Sequence, residues 1–218
     1  MWNKLLSLTM LTALIVAVLL GLFFRQTYTN VTATSNVIDN FSVALWDVDM
    51  SPTLVQTMRE DLPNSNFIVR VKSNGQMDYT FKNNKQYVEV LEVFQGDGLQ
   101  LGDQIAITLL DWMLFFDDMT ANLNFVNLMH PGQEYLIFLE RKLDTLDSNE
   151  NNIYLLPGLI IPPIFNYEDK EHSIFQVSED DRYVPYVKVK DNEFFVSSEK
   201  SLDMLLELKH ELLQKYPK

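Results

Sequence analysis

Hydrophobic and polar positions divide the chain in two. Residues 5–24, LLSLTMLTALIVAVLLGLFF, run without a charge between Lys4 and Arg25. As a helix this stretch is about 30 Å long, the thickness of a bilayer's hydrocarbon core. Ser7, Thr9 and Thr12 can hydrogen-bond back into the helix, and Trp2, Phe23, Phe24 and Tyr28 stand where the two interfaces would lie. No polar face interrupts the stretch, as one would in a helix of a soluble domain. An uncleaved anchor over residues 1–25 is therefore expected, contacting lipid through residues 5–24. A cleaved secretory signal is the alternative. Its apolar region usually spans about 7–15 residues, and the small pair Val31 and Ala33 lies nine residues beyond Phe24.

Beyond the anchor the periodicity changes. Residues 26–50 read as a Thr/Asn-rich stalk and lead-in, with two glycosylation-type triplets at Asn30-Val31-Thr32 and Asn40-Phe41-Ser42. Residues 51–218 read as a β-rich body. Ser51-Pro52 predicts a helix start and Leu62-Pro63 its end. Strand patterns follow at 67–71, 77–82, 86–94, 104–110 and 134–141, with shorter ones at 173–177, 183–189 and 193–196. Asn74-Gly75 predicts a hairpin turn, Asn83-Asn84 a second turn, and the glycines at 96, 98 and 102 two more. From 199 to 216, Leu202, Leu205, Leu206, Leu212, Leu213 and Tyr216 recur at helical spacing behind a capping Ser198. That pattern predicts an amphipathic helix closing the open side of the β domain. The fold class expected is mainly β (α+β): an N-terminal transmembrane helix, an antiparallel barrel-like domain with insertions, and a C-terminal helix.

Charge sharpens the division. The chain of 218 residues carries 17 Lys+Arg and 30 Asp+Glu, a formal charge of −13. Residues 1–38 contain only Lys4 and Arg25 as charged side chains, so the remainder carries −15. An acidic body lacks the basic footprint that nucleic acid requires. Lys4 and the α-amine ahead of the span favour a cytoplasmic N-terminus and a body on the far side. With no Cys, disulfides, thiol catalysis, Cys-ligated metals and lipoprotein acylation are excluded.

Residues 87–140 carry a pattern of their own: YVEVLEVFQGDGLQLGDQIAIT, an insertion, then HPGQEYLIFLE. Val90, Val93, Gly96, Leu99, Gly102, Asp103, Ile105, Gly132, Glu134, Tyr135, Leu136, Phe138 and Leu139 hold it together. This quarter of the chain resembles bacterial exported proteins with a small OB-like barrel, akin to netrin and tissue-inhibitor-of-metalloproteinase modules. The resemblance implies a barrel fold and export. It implies no inhibitory activity, because those inhibitors act through an N-terminal Cys.

The chain shows no catalytic or metal motif and implies no cofactor. His130, His172 and His210 form no ligand pair. Asp147-x-Asn149-x-Asn151 starts like a calcium loop, but Asn152 and Gly158 stand where Gly and Glu are needed. Asp47-x-Asp49 has the look of a metal–nucleotide pair and is a common tripeptide. Ser197-x-x-Lys200 lacks the companion motifs of serine acyl-enzymes. Asp117-Asp118 and Asp180-Asp181 are carboxylate pairs of the sort any acidic chain contains. The unusual feature is apolar. Trp112, Phe115 and Phe116, with Ile161, Pro162 and Phe165, would form an exposed patch for a protein or lipid partner if their loops adjoin. The competing expectation is that both segments are core. The functional expectation is a membrane-anchored, extracytoplasmic, non-catalytic interaction module. Two alternatives are an exported hydrolase using paired carboxylates and an accessory or sensor subunit of a membrane complex. The span is read as lacking a strong small-xxx-small pattern, which counts against the last.

Overall fold

A computed structural model describes residues 2–27, 37–45, 52–80, 83–110, 112–145, 152–176 and 182–218. The chain forms two compact units, Met1–Ser35 and Asn36–Lys218. The first contains helix α1 (Trp2–Thr27). Its residues 6–25 are long and apolar enough to cross a membrane, and none of this window is buried. The Thr9 and Thr12 hydroxyls donate to the Leu6 and Leu8 carbonyls, each at 2.9 Å, so the helix satisfies them internally. Ala13, Ala17 and Gly21 fall at four-residue steps along one face. The span therefore does carry a small-residue stripe, contrary to expectation, although a stripe alone identifies no partner.

The body is α+β and mainly antiparallel. Its first elements are a 3-10 turn (Val37–Asn40) and β1 (Ser42–Ala44), so packed structure begins inside the region read as lead-in. Helix α2 (Pro52–Asp61) ends at the Leu62-Pro63 step as predicted. A long hairpin of β2 (Phe67–Thr80) and β3 (Asn83–Gln95) forms the centre of the main sheet. Asn74-Gly75 does not end β2. The register with β3 shifts between Ser73 and Met77, and the strand continues through a bulge to Thr80, which pairs with Asn83. Gly75 has φ +78°, and a Cβ there would lie 2.7 Å from the Pro131 ring. The same backbone freedom that favours a hairpin turn here permits a bulge, and contact with Pro131 selects it.

The remaining strands of that sheet are β4 (Gln104–Thr108), β7 (Glu134–Leu139), β8 (Arg141–Lys142), β9 (Ile153–Leu155) and β10 (Ile164–Asn166). Their order is β10-β7-β2-β3-β4-β9-β8, antiparallel except between β4 and β9. A second sheet joins β1 to β5 (Met113–Phe115), β6 (Thr120–Asn122) and β12 (Tyr183–Pro185), in the order β12-β1-β6-β5. The predicted 183–189 strand stops at Pro185 and becomes a 3-10 turn. Strand β11 (Glu171–Ile174) pairs in parallel with β13 (Asn192–Val196). Helix α3 (Glu199–Lys215) closes the chain, and the Ser198 side chain accepts the Ser201 N–H as the cap.

Among the described residues the main sheet is open, and the closed barrel expected from the sequence is not found. Its edges explain why. On β10, the Asn166 N–H donates to the Glu193 carboxylate at 2.8 Å in place of another strand. At the opposite edge, β8 is two residues long, and both of them, Arg141 and Lys142, are exposed cations. Short charged edges and capped amides discourage further pairing. In the centre, Leu136 to Leu139 are all fully buried, so β7 is covered on both faces. Val55 and Met58 from α2, Leu62 from the 3-10 turn that follows it, and Leu205, Leu208 and Leu212 from α3 join the same core.

Candidate functional site

The apolar segments singled out in the sequence do not form a surface patch. Trp112, Ile161 and Phe165 are 0% exposed and Pro162 is buried. Trp112 belongs to the main apolar core, and its backbone N–H donates to the Leu109 carbonyl at 3.3 Å. Phe165 sits on β10 against Phe138 and Phe194, with ring centroids 6.2 and 6.5 Å away. Phe116 is half-buried and meets Phe41 edge-on at 5.3 Å. Of the six, only Phe115 is exposed, at 37%. These runs are apolar because they are core, which overturns the patch.

Other sequence features stay on the surface or lie outside the described residues. Asp117 and Asp118 are exposed, and Asp118 accepts the Thr120 hydroxyl at 2.8 Å. Lys200 is exposed in the first turn of α3, while Ser198 is occupied as its cap. The pairs at Asp47/Asp49 and Asp180-Asp181, the Asp147-x-Asn149-x-Asn151 segment and the first glycosylation triplet lie outside the described residues. Among the described residues no three His, Asp or Glu side chains gather as a metal site.

The structure gathers a different set of side chains, at the edge where β10, β13, β11 and α3 meet. Lys209 lies within the apolar stripe of α3, and its side chain is 7% exposed. Its ammonium contacts the Glu193 carboxylate, itself 4% exposed, and donates to the Glu168 carbonyl at 3.1 Å. The other oxygen of Glu193 takes the Asn166 N–H. The Asn166 amide donates to Gln133 Oε1 at 2.7 Å, and the Tyr135 hydroxyl reaches that same oxygen at 3.2 Å. Asn127 closes the assembly: its amide nitrogen lies 2.7–3.0 Å from the carbonyls of Val189, Lys190 and Asn192, and its oxygen accepts the Tyr186 hydroxyl. The chain enters this region through Asn124 and Phe125 at φ +50° and +70°, a left-handed pair that non-glycine residues adopt only when their surroundings hold them.

A cavity of about 10 Å³ lies among His130, Tyr135, Asn166, Lys170 and Glu193. That is the scale of one water molecule. It is far below the few hundred Å³ of a small-molecule site. Burial pushes the Glu193 carboxyl up, against the opposing pull of Lys209. Burial also pushes the Tyr135 phenol up. His130 is held below its ordinary value by burial and then by Lys170, with Asp191 and the Lys190 carbonyl pulling the other way. His172, stacked on Phe194 at 5.3 Å, is lowered by burial and then by Lys209, with Asp169 opposing. Among the described residues, His130 Nε2 and His172 Nδ1 are buried without a hydrogen-bond partner. The arrangement can hold charge and protons in a sheltered place.

One signal for this cluster was present in the sequence. Lys209 falls four residues after Leu205 and three before Leu212, in the middle of the apolar stripe. Nothing local marks Glu193 as its partner. A separate open groove of about 580 Å³ runs between α2 and α3 past Thr53, Val55, Arg59, Met204 and Glu207. No known family model matches the chain, and no curated protein matches it in sequence.

Proposed function

We propose that this chain is a single-pass membrane protein, with its N-terminus in the cytoplasm and its acidic α+β body on the other side, acting as a non-catalytic interaction module. The observation that carries this reading is α1. It is apolar on every side, its membrane-length window is unburied, and its hydroxyls are satisfied within the helix, as a lipid environment requires. Lys4 ahead of the span and a remainder of −15 behind it support the orientation. The resemblance of residues 87–140 to OB-like exported modules supports export. An acidic body with blocked sheet edges suits display of a soluble domain that does not pair with its own copies. Its partner in this reading is a protein.

The test is made on membranes of cells producing the full chain. Alkaline extraction should leave the protein in the pellet at full mass, and protease added outside intact cells should remove the body. Crosslinking in the same membranes should then give a discrete species containing a second protein. Release by alkali, or loss of the first thirty-odd residues, would overturn the anchor. A body protected in intact cells would overturn the orientation. An intact, correctly oriented protein that crosslinks to nothing would overturn the interaction module.

A further inference from the structure

The joint between α3, β11 and the sheet edge combines features that purely structural packing does not need. Two half-buried imidazoles face it, each with a ring nitrogen that is buried and, among the described residues, unpartnered. Each has a lysine for a neighbour: Lys170 beside His130, and Lys209 beside His172. Lys209 is already committed to Glu193, the contact that ties α3 to β13. Also facing the pair are Asp191 near His130, Asp169 near His172, the Glu168 carboxylate on Lys170 at 3.1 Å, and the Tyr135 hydroxyl, which accepts the His130 backbone N–H at 2.8 Å. Glu193 lines the cavity with His130 and Lys170. Phe194 covers one face of His172 and brings no charge.

We propose that His130 and His172 make this joint a proton-operated latch that holds α3 and β11 at neutral pH and releases them in mild acid. Neutral imidazoles leave Lys209 to serve Glu193 and the Glu168 carbonyl alone. Protonation places a second cation beside Lys209 and another beside Lys170, where Glu193 is already committed to Lys209 and Glu168 to Lys170. The half-exposed rings give protons access from solvent without opening the core.

The sign follows from both histidines being held below their ordinary value of 6.5. The folded joint binds these protons less readily than the open one. Its stability is therefore complete above the ordinary histidine range and falls as pH drops through 6.5. Glu193, held above its ordinary 4.5, works in the opposite sense. The folded joint takes up that proton more readily than the open one, so any restoring effect comes at lower pH.

Hydrogen exchange on the full chain in detergent micelles, corrected for the intrinsic pH dependence of exchange, tests this at pH 7.5, 6.5 and 5.5. Protection of α3 and β11 amides should fall about tenfold between the highest and lowest pH, one pKa unit of differential proton binding being tenfold. Protection of the β2–β3 hairpin should hold. In the paired variant His130→Gln with His172→Gln the fall in α3 should vanish. Should the paired variant lack a protected α3 at pH 7.5, the single variants are read, and each should show a smaller fall than the parent. Unchanged α3 protection overturns the latch, as does a parallel loss in β2–β3. Persistence of the full fall in the paired variant, or in both singles, also overturns it.

Discussion

Helices α1 and α3 are both rich in leucine, yet they treat polar atoms in opposite ways. In α1 the apolar residues lie on every side, and Thr9 and Thr12 turn their hydroxyls onto carbonyls of their own helix. In α3 only one stripe is buried, and Lys209 sits inside it beside Leu205, Leu208 and Leu212. A helix in lipid must satisfy its backbone and hydroxyls alone, because hydrocarbon offers no partner. A helix on a globular body can send a charge inward when another element supplies the counter-charge. Lys209 therefore ties α3 to β13 and to the Glu168 carbonyl, which fixes the helix's position in a way leucines alone would not.

The largest expected effects come from breaking that tie. Lys209→Ala leaves the Glu193 carboxylate buried without its cation and should cost about 3–5 kcal/mol in urea denaturation. The combination Lys209→Met with Glu193→Gln removes both charges while keeping an oxygen for the Asn166 N–H. It should cost well under half as much, since neutral isosteres often replace buried ion pairs with little loss. An equal loss in both variants would mean that packing, not charge, holds α3. The converse change in α1 is Leu14→Arg. A cation at the middle of the span should oppose insertion by about 3 kcal/mol. The carbonate-resistant fraction should fall, while the stability of the body should stay unchanged. Full membrane retention of this variant would remove the contrast between the two helices.

The contrast was half legible in the sequence. Both helices, the cap at Ser198, the end of α2 and the 86–94 strand follow from local periodicity and turn chemistry, which are properties of neighbours along the chain. The bulge at Asn74-Gly75 does not, because Pro131 decides it from more than fifty positions away. Trp112 and Phe165 looked like surface anchors because runs broken by Pro and Asp resemble loops. Their burial comes from a core assembled out of distant strands and helices, with Phe138 and Phe194 against Phe165, which only the fold brings near. Glu193 leads the apolar run Phe194-Phe195-Val196 in a strand whose five residues are all buried, where an isolated acid would normally face solvent. Nothing in its surroundings signals that a lysine sixteen residues later lies opposite. Local rules located the elements, and long-range pairing decided what each face was for.

Smaller changes at the ends and surface of α3 test how much of its hold lies outside the buried stripe. Ser198→Ala frees the Ser201 N–H at the first turn and should cost about 1 kcal/mol, read from the denaturation midpoint. A loss several times larger would show that the cap, and not Lys209, fixes the helix.

The weakest tie is the surface pair between α2 and α3. Arg59 reaches Glu211 through two nitrogens, at 2.6 and 3.0 Å, in the two-pronged geometry that guanidinium and carboxylate favour. Both side chains are about a third or more exposed, at 34% and 42%, so water and salt screen the attraction. Arg59→Ala should therefore cost at most about 1 kcal/mol, and the loss should shrink further in 0.5 M salt. Glu211→Gln should cost about the same, since neither partner is stranded when water can replace the other. That symmetry is what separates this pair from Glu193 and Lys209, where removing either partner leaves its mate buried and charged. A salt-insensitive loss of several kcal/mol at Arg59 would place the hold on α3 at the α2 surface and demote the buried pair to a minor contact.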